Sequence, residues 1–89
     1  MQVEYRQLFL KDLKKLKKQP VYQRIYDLAF QILPTADNLK EVSNVRSLKG
    51  SANRYRIRIG DYRLGIQVSE GKIEIMRVLH RREFYRYFP

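Results

Sequence analysis

Arg54-Tyr55-Arg56-Ile57-Arg58-Ile59-Gly60-Asp61-Tyr62-Arg63-Leu64-Gly65-Ile66-Gln67-Val68 is the stretch that decides the fold. Apolar residues at 55, 57 and 59 alternate with arginines at 54, 56 and 58. After Gly60-Asp61 the alternation resumes with Tyr62, Leu64, Ile66 and Val68. A period of two belongs to a strand with one buried face. A Gly-Asp pair between two such runs predicts a two-residue hairpin, with glycine supplying the positive φ of a type II′ turn. That turn sets the register: Ile59 opposite Tyr62, Arg58 opposite Arg63, Ile57 opposite Leu64 and Arg56 opposite Gly65. Residues directly opposite share a face of the sheet. One face therefore holds Tyr55, Ile57, Ile59, Tyr62, Leu64 and Ile66, and is expected to pack on helices. The other carries Arg54, Arg56, Arg58 and Arg63, with a gap in side chains at Gly65.

Toward the C-terminus, Glu70-Gly71 predicts a second turn into a strand over 72–79. A two-residue turn there places Val68 opposite Ile73, Gly65 opposite Met76 and Arg63 opposite Val78. His80 then falls at the end of the arginine face, beside Arg58 and Arg63. The same register puts Arg77 on the apolar face, a conflict that a bulge or an edge position resolves. Residues 77–89 interleave basic and aromatic side chains. Phe84 and Phe88 are expected to anchor a terminal helical turn to the core, and Arg81 and Tyr85 to meet a ligand.

Toward the N-terminus the period changes to that of helices, over 6–33. Phe9, Leu13 and Leu16, widened by Leu10, form a first apolar stripe, and Lys11, Lys14, Lys15, Lys17 and Lys18 fill the other positions. Gln19-Pro20 ends this helix, because proline disfavours helical geometry in the residue before it. Pro20 suits the first turn of a second helix, whose stripe is Val21, Ile25, Leu28 and Ile32 and which Leu33-Pro34 closes. So short a joint predicts an antiparallel hairpin. Residues 1–4 read as a short leading strand and 34–38 as a loop, while 39–44 fit no single pattern. The expected class is α+β: an N-terminal helical hairpin packed on a small, mainly antiparallel sheet, with a short C-terminal helical turn, in one domain over residues 1–89.

Nineteen basic and nine acidic side chains give the 89 residues a net charge of +10 with the single His neutral. Such a chain is expected to meet a polyanionic partner. No apolar run approaches the ~20 residues that cross a bilayer, and Met1 is not followed by a signal-peptide pattern. A cytoplasmic location away from membranes is expected. With no Cys and one His, disulfides and structural zinc sites are excluded, and no cofactor is expected. Between 46 and 63, six basic residues (Arg46, Lys49, Arg54, Arg56, Arg58 and Arg63) meet one acid, Asp61. Like charges directly opposite in a sheet are mildly destabilising, so Arg58 facing Arg63 is a poor arrangement for folding alone. Guanidinium groups offer a planar donor fork for phosphate oxygens and a face that stacks on bases. The lysines of the first helix read either as a solvated face or as a non-specific phosphate contact.

Lys49-Gly50, then Tyr55-Arg56-Ile57-Arg58-Ile59-Gly60-Asp61-Tyr62-Arg63, then Val78-Leu79-His80-Arg81-Arg82-Glu83-Phe84-Tyr85, behind a helical hairpin, resembles the RelE/ParE toxin superfamily along essentially the whole chain. The closing Tyr85-Arg86-Tyr87-Phe88-Pro89 is similar to archaeal-type and some bacterial RelE members. The resemblance implies the toxin of a type II toxin–antitoxin pair. RelE-type members cut mRNA in the ribosomal A site, whereas the ParE branch poisons DNA gyrase and typically lacks the basic and tyrosine set. The family's basic strand positions match Arg56 and Arg58, its post-turn arginine Arg63, and its C-terminal basic residue and tyrosine Arg81 and Tyr85. This implies the ribonuclease branch, with Lys49, Arg54, Arg82, Lys14, Lys15 and Lys18 as further RNA or ribosome contacts. It also implies an acidic, RelB-like antitoxin in a heteromeric complex, with the ribosome and mRNA as targets. Many relatives carry Lys at the Arg56 or Arg58 position, so this chain departs from the pattern where a lysine base could stand.

The chemistry can be read separately. Metal-free RNA cleavage uses the ribose 2′-OH against the adjacent phosphorus. It needs a proton acceptor, a donor for the departing 5′-oxygen, and positive charge for the developing dianion. Arg56, Arg58, Arg63 and Arg81 suit the last task, but guanidinium does not deprotonate in proteins. Acid and base must come from His80, Tyr85, Lys49 or the ribosome. Imidazole titrates near neutrality, and cationic surroundings favour its neutral form, although a lone His is also commonly structural. Tyr85 can donate a proton, stack on a base or simply pack. A Ser–His–Asp hydrolase using His80 and Asp61 lacks a serine in a nucleophile-elbow context. A gyrase inhibitor on the same fold and a non-catalytic, salt-sensitive RNA-binding module remain the alternatives.

Overall fold

A computed structural model describes residues 1–88; Pro89, part of the closing motif, lies outside the described residues. The chain begins with β1 (Gln2–Tyr5) and α1 (Gln7–Lys15). A second helical run, α2, covers 22–35: an α-helical part (Tyr22–Asp27), a π-helical turn (Leu28–Ile32) and a last turn (Leu33–Thr35). A short 3₁₀ turn (Leu39–Glu41) leads to β2 (Val45–Ser47), β3 (Arg54–Ile59), β4 (Tyr62–Ser69), β5 (Lys72–His80) and α3 (Arg81–Tyr87). One sheet orders the strands β1-β5-β4-β3-β2, antiparallel except for β1 beside β5. This is the expected α+β class. Among the described residues no helix is long and apolar enough to cross a membrane.

Helices and sheet share one core, in which Phe9, Leu13, Ile25, Leu28, Ala29 and Leu33 meet Ile57, Ile59, Leu64, Ile66, Ile73, Ile75 and Val78. α1 stops at Lys15, earlier than Gln19-Pro20 suggests, because the Leu16 amide bonds back to Leu13 O at 2.9 Å and tightens the last turn. Residues 16–21 are turns, and Pro20 sits in them ahead of α2. In α2 the stripe departs from Ile25, Leu28 and Ile32: Leu33 is buried and Ile32 is 48% exposed. The π turn explains the shift. The Leu33 amide donates to Leu28 O, five residues back; a π turn takes more residues to come round than an α turn does, so the buried position falls one residue later. The next residue, Pro34, has no N–H to continue the pattern to Ala29 O, and the Tyr5 hydroxyl donates to that carbonyl at 2.8 Å. Burial, with Tyr26 nearby, holds the Tyr5 hydroxyl above its ordinary range.

The β3–β4 register is the one the turn predicts, from Ile59 opposite Tyr62 to Arg56 opposite Gly65. Positive φ occurs at Gly60 and not at Asp61, as type II′ requires. The β4–β5 pairing begins as expected, with Val68 opposite Ile73, and then departs. Gly65 lies opposite Arg77 rather than Met76, Arg63 opposite Leu79 rather than Val78, and Tyr62 opposite His80. A bulge at Gly65/Ile66 absorbs Met76 as the extra residue of β5.

The bulge resolves the Arg77 conflict. Strict alternation would drive a guanidinium into the apolar layer. Instead Arg77 reaches the edge of β5 beyond the end of β1, where α1 presents Asp12, a carboxylate only 7% exposed. Arg77 Nε and Nη2 donate to Asp12 Oδ2 and Oδ1 at 2.7 and 3.0 Å, and the Val78 amide donates to Oδ2 at 3.2 Å. The hydrogen bonds to Asp12 hold the Arg77 guanidinium above its ordinary range despite partial burial. Asp12→Ala is expected to lower unfolding free energy by about 3 kcal/mol, the low end for breaking a buried pair, since Arg77 keeps some contact with water. Urea denaturation measures this; a loss under about 1 kcal/mol would show that the bulge holds itself.

Candidate functional site

The second face of the sheet is built by three rows of opposed residues. Arg46 faces Arg56, which faces Gly65; Arg58 faces Arg63; Arg54 faces Gln67. Arg63 is the centre. Its Nη1 donates to the carbonyls of Gly60 and Tyr62 at 2.9 and 3.0 Å, which turns the side chain back over the hairpin. Burial first, then the charges of Arg56, Arg58 and Arg81, hold its guanidinium below its ordinary range, with Tyr85 pulling the other way. It remains protonated. The structure thus brings Arg56, Arg58, Arg81 and Tyr85, from a strand and a helix, within electrostatic reach of Arg63.

α3 reaches this face through an aromatic seat. Phe84 and Phe88 are buried with Leu48, flanked by Met76 and Leu79, in a cluster separate from the main core. The sequence places them against the core; they pack on the opposite side of the sheet, because α3 leaves β5 past the bulge. Phe88 fills the gap at Gly65, where a Cβ would stand 2.7–2.9 Å from three of its ring atoms. The Arg54 guanidinium lies 5.0 Å from the Phe88 ring centroid, and its Nε donates to Gln67 Oε1 at 3.2 Å. Arg54 is therefore partly engaged in holding α3. The Arg81 amide donates to Asp61 O at 2.7 Å, and its Nε lies 3.8 Å from Asp61 Oδ1. Tyr85, 56% exposed, stands edge-on to Phe84 at 5.1 Å and presents its ring to solvent.

The other candidates lie elsewhere. His80 is not on the arginine face: the bulge pairs it with Tyr62, whose ring it meets edge-on at 5.4 Å, and its Nδ1 accepts from the Arg82 amide at 3.2 Å. Lys49 is exposed in the loop joining β2 and β3, and Arg82 is exposed in the first turn of α3. Lys14, Lys15 and Lys18 are exposed on the helical side, across the sheet from the arginines. One further cation joins the face. Arg46, with Asn44, Val45, Arg56 and Arg58, lines a pocket of about 260 Å³. Its sequence position was visible among the basic residues, but β2 has three residues and no tight turn to fix its register.

Clustered guanidinium groups beside an exposed phenol can hold a phosphodiester and stack an unpaired base. A five-stranded sheet with helices on one face, and a C-terminal helix crossing a cationic second face, is the RelE-like class of small toxin. Residues 3–85 match the family described as ParE toxin of type II toxin-antitoxin system, parDE, and the chain belongs to this RelE/ParE superfamily as a RelE-type member. It is 38% identical, in an alignment of 90 positions that spans the whole of both chains, to Toxin RelE3 of Methanocaldococcus jannaschii. It is similar to a chain in the crystal structure of the RelB-RelE antitoxin-toxin complex from Methanococcus jannaschii, with a TM-score of 0.80 and 36% identity over 97% of this chain and 99% of that one. The archaeal RelE-RelB complex from Pyrococcus horikoshii OT3 gives 0.62 and 26% over 90% and 93%.

Gly65→Ala is expected to push Phe88 off the sheet and cost about 1–3 kcal/mol. Thermal unfolding reads the loss, and faster amide exchange in α3 locates it. An unchanged melting temperature would mean that Phe88 does not need the glycine seat.

Proposed function

We propose that this toxin is an endoribonuclease acting on ribosome-bound mRNA in the A site. The reading is carried by one observation, the convergence of Arg56, Arg58 and Arg81 on a partly buried Arg63 beside Tyr85. Folding alone gains nothing from gathering like charges, whereas a scissile phosphate that becomes a dianion is stabilised by them. In the proposed reaction the ribose 2′-oxygen attacks the adjacent phosphorus and loses its proton. The bond to the 5′-oxygen breaks, leaving a cyclic phosphate and a 5′-hydroxyl that must receive a proton. No arginine can carry either proton. Tyr85 is the group in the cluster that can deliver one to the leaving oxygen, and the ribosome receives the other. RelE names among the relatives favour this branch; the ParE family description keeps gyrase inhibition as the competing outcome.

Primer extension on translating ribosomes is expected to show A-site cuts. Arg81→Ala or Tyr85→Phe should lower cleavage by about 10²-fold or more with circular dichroism unchanged. Full cleavage by both variants would overturn the site, and inhibited supercoiling with intact mRNA would favour gyrase.

The partner follows from charge. The RelE relatives were crystallised with their RelB antitoxins, and a face this cationic favours an acidic segment in a heteromeric complex that neutralises it. Co-expression with the acidic reading frame next to the toxin's own is expected to restore growth and yield a complex that weakens as salt rises. Growth arrest that persists with such a frame present would count against it.

A further inference from the structure

His80 stands at the junction of β5 and α3 with extended backbone, φ −60° and ψ 145°, the geometry of a helix N-cap. Its Nδ1 accepts the Arg82 amide at 3.2 Å. Caps are ordinarily Ser, Thr, Asp or Asn, whose oxygens accept at any neutral pH. An imidazole nitrogen accepts only while it carries no proton. A charged ring would also face the positive end of the helix dipole. α3 has seven residues and carries Arg81 and Tyr85 at its start and middle, so what holds its first turn sets where those two groups stand.

We infer that His80 is a positioning residue whose neutral ring caps α3 and so keeps Arg81 and Tyr85 aligned with Arg63. The effect on RNA cleavage rests on the ribonuclease reading; the capping does not. Tyr62 of β4 braces the ring from the sheet. Beside it opens a cavity of about 440 Å³, to which α1 contributes Asp12 and Lys15, β5 Arg77, and α3 Glu83 and Tyr87. The charged groups around this cavity are Lys15, Glu83 and the Asp12–Arg77 ion pair. Arg81, the next residue, has its amide and side chain turned toward Asp61. Protonation thus removes an acceptor and adds a cation at the helix start, and both changes loosen α3.

Hydrogen exchange over 80–88 in the whole chain tests the capping without RNA. Wild type is expected to lose roughly fivefold in protection between about pH 8 and about pH 5, after correction for intrinsic exchange. His80→Asn, whose side-chain oxygen caps without titrating, should hold its protection across that range, and His80→Ala should lack it at both ends. The ribosomal cleavage assay is run on the same proteins. Asn is expected to recover the activity that Ala loses, and to flatten the acid limb of the pH profile. Equal pH response of wild type and His80→Asn in exchange would overturn the inference. So would loss of cleavage in His80→Asn with α3 fully protected, which would make His80 a proton carrier. Absence of cleavage by wild type, with the exchange pattern intact, would refute the ribonuclease reading and leave the cap standing.

Discussion

The seat of α3 on the cationic face depends on a carboxylate on the far side of the sheet. Asp12 is buried on α1 and takes three hydrogen bonds from the bulged segment of β5, two from Arg77 and one from the Val78 amide. A buried ion pair is weak grounds for net stability, since desolvation offsets much of the attraction. Its consequence here is geometric. With Met76 set aside as the extra residue, Val78 enters the core, Leu79 joins the phenylalanines and His80 moves behind the sheet. A strand without the bulge would put each of these side chains on the opposite face, and α3 would start from the wrong side.

Three of the gathered arginines have local partners, those of Arg63 and Arg54 including uncharged groups and that of Arg81 being Asp61 of the turn. Arg63 is held by backbone carbonyls, Arg54 by an aromatic ring and an amide, and Arg81 is tethered to the hairpin turn. Carbonyl and aromatic contacts orient a guanidinium without neutralising it, so Arg63 and Arg54 keep their charge. A net charge of +10 adds long-range attraction for any polyanion and speeds encounter at low salt. Phe84 and Phe88 supply the apolar anchor that lets α3 lie across so polar a surface, and Gly65 supplies the room.

The Gly60-Asp61 hairpin was legible because turn length, alternation and glycine placement all bear on one local register. The arginine rows and the gap at Gly65 follow from it without tertiary information. The stripe of α2 was misread by one position, at Ile32 against Leu33, because a π turn leaves no mark in apolar spacing. The register of Arg46 was also beyond reading, since three residues of β2 carry too little pattern.

What the residues alone determined is therefore whatever depends on neighbours close in the chain: the class of fold, the central hairpin, the face that carries Arg56, Arg58 and Arg63, and the kinship of the motifs. Tertiary structure alone decided the end of β5, and with it His80 and the seat of α3. A bulge is selected by the energy of burying Arg77 against that of meeting Asp12, 65 positions earlier, and local periodicity contains no term for a partner so distant.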